Sequence, residues 1–178
     1  KTCVQRRMKD LAELKAMPIS RVAVHPVDDN ILNMHGTVSS VSGSSTWKST
    51  NLHFFMRFPE TYPVDPPKVW LATFVPHPNV VRGAGGHWEV CLDMLTASSE
   101  NGGRPYECWS SAFTIRSIAM QLASFLLVDG EVITETRGTA AEAITAAKRF
   151  SCKECGHCPE KCFPVPASEE FMDLSPTV

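Results

Sequence analysis

No apolar stretch in this chain of 178 residues approaches the ~18 uninterrupted residues that a membrane-spanning helix needs. The opening segment, Lys1 to Lys15, is too charged for a secretory signal. An excess of one charge sign is also missing. Lys and Arg number 17 against 19 Asp and Glu, so the net charge is −2, and no long-range field gathers nucleic acid or an anionic membrane. A protein partner fits this balance better. There is no internal repeat, and there is no even cysteine set of the kind that frames a small secreted fold. Of 7 cysteines, Cys3, Cys91 and Cys108 stand alone, while Cys152, Cys155, Cys158 and Cys162 crowd together near the end. In a reducing compartment that pattern suggests free thiols plus a separate metal or redox cluster. The expected location is the cytoplasm, the nucleus or both. Met is absent from the first position, which suggests a piece of a larger parent.

What is present suits one soluble domain. Hydrophobic residues make up 43% and charged residues 20%, ordinary values for a globular protein, and the length is close to the ~150 residues of a single domain. Val4, Met8, Leu11 and Ala12 recur at helical spacing, predicting an amphipathic first helix that Pro18 ends. Leu52, Phe54, Met56 and Phe58 then alternate with His53, Phe55 and Arg57, the period of a strand. Four strands are expected at Arg21 to His25, Leu32 to Ser39, Leu52 to Phe58 and Lys68 to Thr73. Turn residues at Asp28-Asp29-Asn30 and Ser42-Gly43-Ser44-Ser45 favour an antiparallel meander. The stretch from Phe74 to Ser110 lacks periodicity and is long for a loop, which marks it as functional. Ile115, Ile118, Ala119, Leu122 and Leu126 predict a core helix packed across the sheet, and Thr139 with Glu142 forms a capping box for a further helix to about Phe150. The fold class is therefore α+β.

Specific motifs carry a resemblance. Phe58-Pro59-Glu60-Thr61-Tyr62-Pro63-Val64-Asp65-Pro66-Pro67-Lys68-Val69, then His77-Pro78-Asn79, then Cys91-Leu92-Asp93, then Trp109-Ser110-Ser111-Ala112 occur in the order of the ubiquitin-conjugating enzyme family, which the chain resembles from its first helix to about Phe150. The resemblance implies that family's fold for residues 1–150, with residues 151–178 as a Cys-rich extension. It also implies an activity: ubiquitin or a ubiquitin-like modifier is taken from an activating enzyme as a thioester, then passed to a protein substrate or a ligase.

By itself an unpaired cysteine is most often a buried, inert residue. Cys91 differs in its setting, since it lies in the irregular stretch beside His87, Trp88 and Glu89. Thiol exchange suits it chemically, because a thiol of pKa about 8.5 is partly ionised near neutrality and needs no strong base. The resemblance makes Cys91 the acceptor thiol and Asn79 the donor to the oxyanion of aminolysis. His77, Pro78 and Asp93 then support the loop, and Asp129 and Glu131 are candidates to help an incoming lysine lose its proton. The resemblance also assigns Arg6, Arg7 and Lys9 to activating-enzyme docking and Val64, Trp109 and Ser110 to ligase docking. Many family members carry an aromatic residue where this chain has Val64 and proline where it has Ser111, so a different ligase preference is expected. Insertions separate Asn79 from Cys91 and Cys91 from Trp109; either they shape acceptor choice or they are tolerated surface loops.

The tail, Cys152-x-x-Cys155-x-x-Cys158-x-x-x-Cys162, has metal-ligand spacing. It matches an iron–sulfur run, but the proline that should follow is displaced to Pro164. Structural zinc on Cys152, Cys155, Cys158 and Cys162, with His157 as an alternative ligand, is the expectation; because the short gaps leave little backbone between two halves of a site, part of a zinc site completed elsewhere is a second reading, and free or disulfide-linked cysteines are the third. Two other classes compete for the whole chain. A non-catalytic ubiquitin-binding scaffold of the same fold would be expected to lack the acceptor cysteine, and a metal or redox protein leaves the first 150 residues unexplained.

Overall fold

A computed structural model describes residues 2–28, 30–44, 46–97, 108–129 and 138–167. Helix α1 (Thr2–Ala16) leads into strands β1 (Val22–Val27), β2 (Asn30–Ser39), β3 (Asn51–Arg57), β4 (Lys68–Leu71), β5 (Val80–Arg82) and β6 (Trp88–Val90), followed by α2 (Ile115–Phe125) and α3 (Ala140–Ala147). The strands form one sheet in the order β1-β2-β3-β4-β6-β5, antiparallel at every pairing. The expected four-strand meander is thus present, and two further short strands extend it. These arise within the stretch expected to be irregular throughout.

Alternation in β2 and β3 aims Met34 and Val38, and Leu52, Phe54 and Met56, at one face. There they share a core with Ile115, Ile118, Ala119 and Leu122 of α2. Burying each such Leu or Ile stabilises the fold by roughly 1.5–3 kcal/mol. Gly36 faces this core under the Phe54 ring, and a Cβ there would lie 2.1 Å from a ring carbon. Only glycine allows so close an approach. Thr114 caps α2 reciprocally with Ser117, and Thr139 caps α3 with Glu142 as the sequence led us to expect.

The buried stripe of α1 is not the one periodicity picked out. Val4 and Met8 are exposed, whereas Arg7, Asp10 and Leu14 are buried. Hydrogen bonding explains the reversal. Asp10 accepts from the Tyr62 hydroxyl and, at 2.8 Å, from Arg6 Nε, while Arg7 donates to the Pro59 carbonyl at 3.3 Å. A charged stripe with partners can enter a core that an unpartnered one cannot.

The second face of the sheet is covered too. His35 and Thr37 of β2 and His53 of β3 point away from α2, yet all three are buried. The segment after α3 crosses above them. Phe150 stacks on His53 with centroids 5.4 Å apart, Phe163 lies 5.3 Å from the His25 ring, and Thr37 Oγ1 donates to the Phe163 carbonyl at 3.2 Å. Arg21 N–H donates to Ala167 O at 3.3 Å, tying the far end of the segment to the start of β1.

Candidate active site

The β5–β6 hairpin sets the geometry around Cys91. Its register pairs Val80 with Val90, Val81 with Glu89 and Arg82 with Trp88. Gly83 to Gly86 close the turn, where Gly86 adopts φ +78, a left-handed conformation that favours glycine. Continuing the register one step past the strands sets Asn79 opposite Cys91. Cys91 N–H donates to Asn79 O at 2.8 Å, and Asn79 Nδ2 donates back to Cys91 O at 2.7 Å. The first insertion noted in the sequence is therefore this hairpin, and it brings Asn79 and Cys91 side by side. Asn79 N–H in turn donates to His77 Nδ1 at 3.1 Å. The His77 ring is buried against Phe125 of α2, with centroids 4.7 Å apart. The hairpin base is thus tied through His77 to the core helix.

Of the seven cysteines, all within the described residues, Cys91 alone is exposed. Its sulfur is nevertheless partly desolvated, and that burial, followed by the nearby Glu89 carboxylate, pushes the thiol pKa above its ordinary value. Pro78 is exposed, and Asp93 opens a single 3₁₀ turn (Asp93–Leu95) directly after the cysteine. The chain returns at Trp109, whose N–H bonds Thr96 O at 2.8 Å and whose Nε1 bonds Pro63 O at 2.9 Å. Two surface depressions, one on α3 around Thr145 and one beside β2 around Ser42, contain none of these residues.

The remaining nominated residues divide by exposure. Lys9, Val64 and Ser110 are exposed, Val64 by 72%. Arg6 and Arg7 are committed inside the protein. Arg6 spans from Asp10 to the carbonyls of Ser111 at 2.8 Å and Phe113 at 2.7 Å, so it clamps the Trp109–Phe113 loop onto α1. Trp109 is buried. Asp129 Oδ1 accepts from Ser44 Oγ at 2.7 Å and Thr46 N–H at 3.2 Å, which binds the end of the α2 segment to the β2–β3 connection. Glu131 and the insertion Ser98 to Gly103 lie outside the described residues.

A second cluster forms where the tail meets the sheet. Ligand atoms of His35, His53, Cys152 and Cys155 all lie within 4.8 Å of one another. Cys158 and Cys162 are not among them. Gly156, at φ +75, turns the chain after Cys155. Cys158 then pairs with Lys161 in a small turn, and Cys162 Sγ faces the Pro164 carbonyl at 3.7 Å. His157 is buried, and its Nδ1 is taken up by the backbone of Phe163. His35 and His53 were not singled out from the sequence. Neither sits in a motif, and their nearness to the tail cysteines exists only in the fold.

Fold and site together define an α+β domain that presents a surface thiol at the base of a hydrogen-bonded hairpin. The family model for ubiquitin-conjugating enzymes matches residues 6–151, and the chain belongs to that family. Among curated relatives, ubiquitin-conjugating enzyme E2 K of Bos taurus, Homo sapiens and Mus musculus is 25% identical over 123 residues, covering 69% of this chain and 54% of each relative. The chain thus spans about half the length of the curated relatives it matches. The structure of human ubiquitin-conjugating enzyme E2 G1 superposes with a TM-score of 0.56 at 23% identity, covering 70% of this chain and 93% of that one, and supports the fold. The matched family segment ends just before Cys152.

Proposed function

We propose that this chain is a ubiquitin-conjugating enzyme that carries ubiquitin, or a ubiquitin-like modifier, as a thioester on Cys91. The observation that carries this reading is the position of Cys91, the exposed cysteine, backbone-paired to Asn79 at a hairpin base within the segment that matches the family. An exposed sulfur suits a reaction whose acyl donor is another protein.

Charging is a thiol exchange. The Cys91 sulfur attacks the thioester on the activating enzyme, the modifier's acyl group moves to it, and the donor thiol leaves. The raised thiol pKa keeps Cys91 mostly protonated at rest, so its proton departs as the attack proceeds. In discharge, a lysine amine attacks the thioester carbonyl, negative charge builds on its oxygen, and the Cys91 thiolate leaves. Asn79 uses one Nδ2 hydrogen on the Cys91 carbonyl, and the other remains for the oxyanion; such a donor is worth ~3 kcal/mol. His77 and Pro78 position the loop. Asp93 supports the turn that follows the nucleophile; of the two candidates to receive the lysine proton, Asp129 is engaged with Ser44 Oγ and Glu131 lies outside the described residues. Catalysis of this kind draws on no cofactor.

Lys9 on α1 offers the cation for docking an activating enzyme, with Met8 and Val4 exposed beside it. Val64 and Ser110 offer a small apolar anchor and a polar neighbour to a ligase, held in place by the buried Trp109. The test is a pulse-chase assay. Protein charged with labelled ubiquitin is expected to lose the label on addition of free lysine, and the Cys91→Ser variant to form an oxyester that survives reducing agent. No adduct with ubiquitin or any ubiquitin-like modifier would favour a scaffold role instead.

A further inference from the structure

We propose that His35, His53, Cys152 and Cys155 bind a structural zinc ion that clamps the C-terminal segment onto the second face of the sheet. The site joins neighbouring strands β2 and β3 to a Cys-x-x-Cys turn that lies about 100 residues further along the chain. It is independent of the Cys91 chemistry.

Distances between ligand atoms carry the argument. Tetrahedral zinc with Zn–N near 2.0 Å and Zn–S near 2.3 Å requires nitrogen–nitrogen separations of about 3.3 Å and nitrogen–sulfur separations of about 3.5 Å. His35 Nδ1 lies 3.4 Å from His53 Nε2, 3.5 Å separates Cys152 Sγ from His35 Nδ1, and 3.7 Å separates Cys155 Sγ from His53 Nε2. These three of the six edges match a zinc tetrahedron, and the other three are no longer than 4.8 Å.

The donor chemistry points the same way. His35 Nε2 lies 3.3 Å from the Glu154 carboxylate. That partner fixes the proton on Nε2 and turns the Nδ1 lone pair inward, the carboxylate–histidine arrangement that orients metal ligands. Without an ion, the inward His35 Nδ1 lone pair would be met only by His53 Nε2–H, in one tautomer, or by a weak S–H donor. Both imidazoles are packed against rings. His35 meets Phe55 edge-on at 4.8 Å, and His53 contacts Phe55 at 5.2 Å and stacks on Phe150 at 5.4 Å. Two sulfurs and two imidazole nitrogens with no open position match a structural zinc site, not a catalytic one.

The bound ion explains why two histidines are buried on a face that strand alternation turns away from the main core. It also gives the segment beyond the family's matched region a fixed place, since it crosslinks residues 152 and 155 to strands that bear the active-site sheet.

The test uses the full chain, equilibrated with Zn²⁺ and then exchanged into metal-free buffer. Elemental analysis is expected to find one zinc per chain, and chelation to release it while making two further thiols reactive. Replacing zinc by Co²⁺ is expected to give the intense visible bands of tetrahedral cobalt and a thiolate charge-transfer band. Cys155→Ser and His53→Asn should abolish stoichiometric binding, whereas Cys158→Ser and Cys162→Ser should retain it. A native chain that holds no zinc, gives a six-coordinate cobalt spectrum or shows iron–sulfur absorption would overturn the proposal. So would loss of metal in Cys158→Ser or Cys162→Ser with retention in His53→Asn. The native-chain measurements stand even where a variant fails to fold, and none depends on whether Cys91 accepts ubiquitin.

Discussion

Replacing Tyr62 by Phe removes one oxygen from the core and leaves the packing volume almost unchanged. Tyr62 is fully buried, and Asp10, which accepts from its hydroxyl, is 1% exposed. Burial, reinforced by the bond to Asp10, pushes the phenol pKa upward, so the hydroxyl remains a donor throughout the physiological range. A hydrogen bond to a charged group is worth ~1.5–3 kcal/mol, and its loss leaves the carboxylate oxygen short of a donor in a place water cannot reach. We therefore expect Tyr62→Phe to cost about 2 kcal/mol, which in a chain of this size lowers Tm by roughly 4–8 °C. Asp10 also holds Arg6, which holds the carbonyls of Ser111 and Phe113, so protection of the Ala112 and Phe113 amides from hydrogen exchange should fall as well. Urea unfolding supplies the free energies, with an unchanged slope confirming that only stability has moved. The decisive comparison is Tyr62→Phe in an Asp10→Ala background. With the acceptor gone, removing the hydroxyl should cost almost nothing, because the double-mutant cycle isolates the pair. An equal cost in both backgrounds, or a cost below ~0.5 kcal/mol in the native one, would refute the reasoning.

Asn79→Ala separates catalysis from scaffolding. Its discharge rate to free lysine should fall ~10²–10³-fold while charging of Cys91 persists; equal losses in both steps would assign Asn79 a structural role only. Glu89→Gln tests the electrostatics. Glu89 disfavours the thiolate, so removing its charge lowers the Cys91 pKa, and the pH profile of alkylation should move to lower pH. Burial, the larger cause, remains, so the profile should stay above that of an ordinary cysteine. An unmoved profile would mean that the carboxylate is screened.

Legibility in the sequence followed the physics of each element. β2, β3 and α2 were readable because their apolar residues keep a clean period against one core. β5 and β6 were not, since strands of three residues around a glycine-rich turn are too short to display alternation. Yet Asn79 and Cys91, both nominated from motifs, face each other because of that hairpin. The inward stripe of α1 escaped detection because Arg7 and Asp10 are buried by hydrogen bonding, a pairing with Tyr62 and Pro59 that no local pattern announces. The same holds for Arg6, whose charge reads as a docking residue until its carbonyl partners are seen. His35 and His53 occupy outward positions by alternation, and only the return of a distant segment buries them beside Cys152 and Cys155.

The central claim is that Cys91 carries the modifier, and intact-mass measurement after incubation with activating enzyme, ATP and ubiquitin tests it most directly. The account predicts a single added ubiquitin on the native chain, removed by reducing agent and absent from Cys91→Ala. An adduct that persists in Cys91→Ala, or that resists reduction in the native chain, would contradict it.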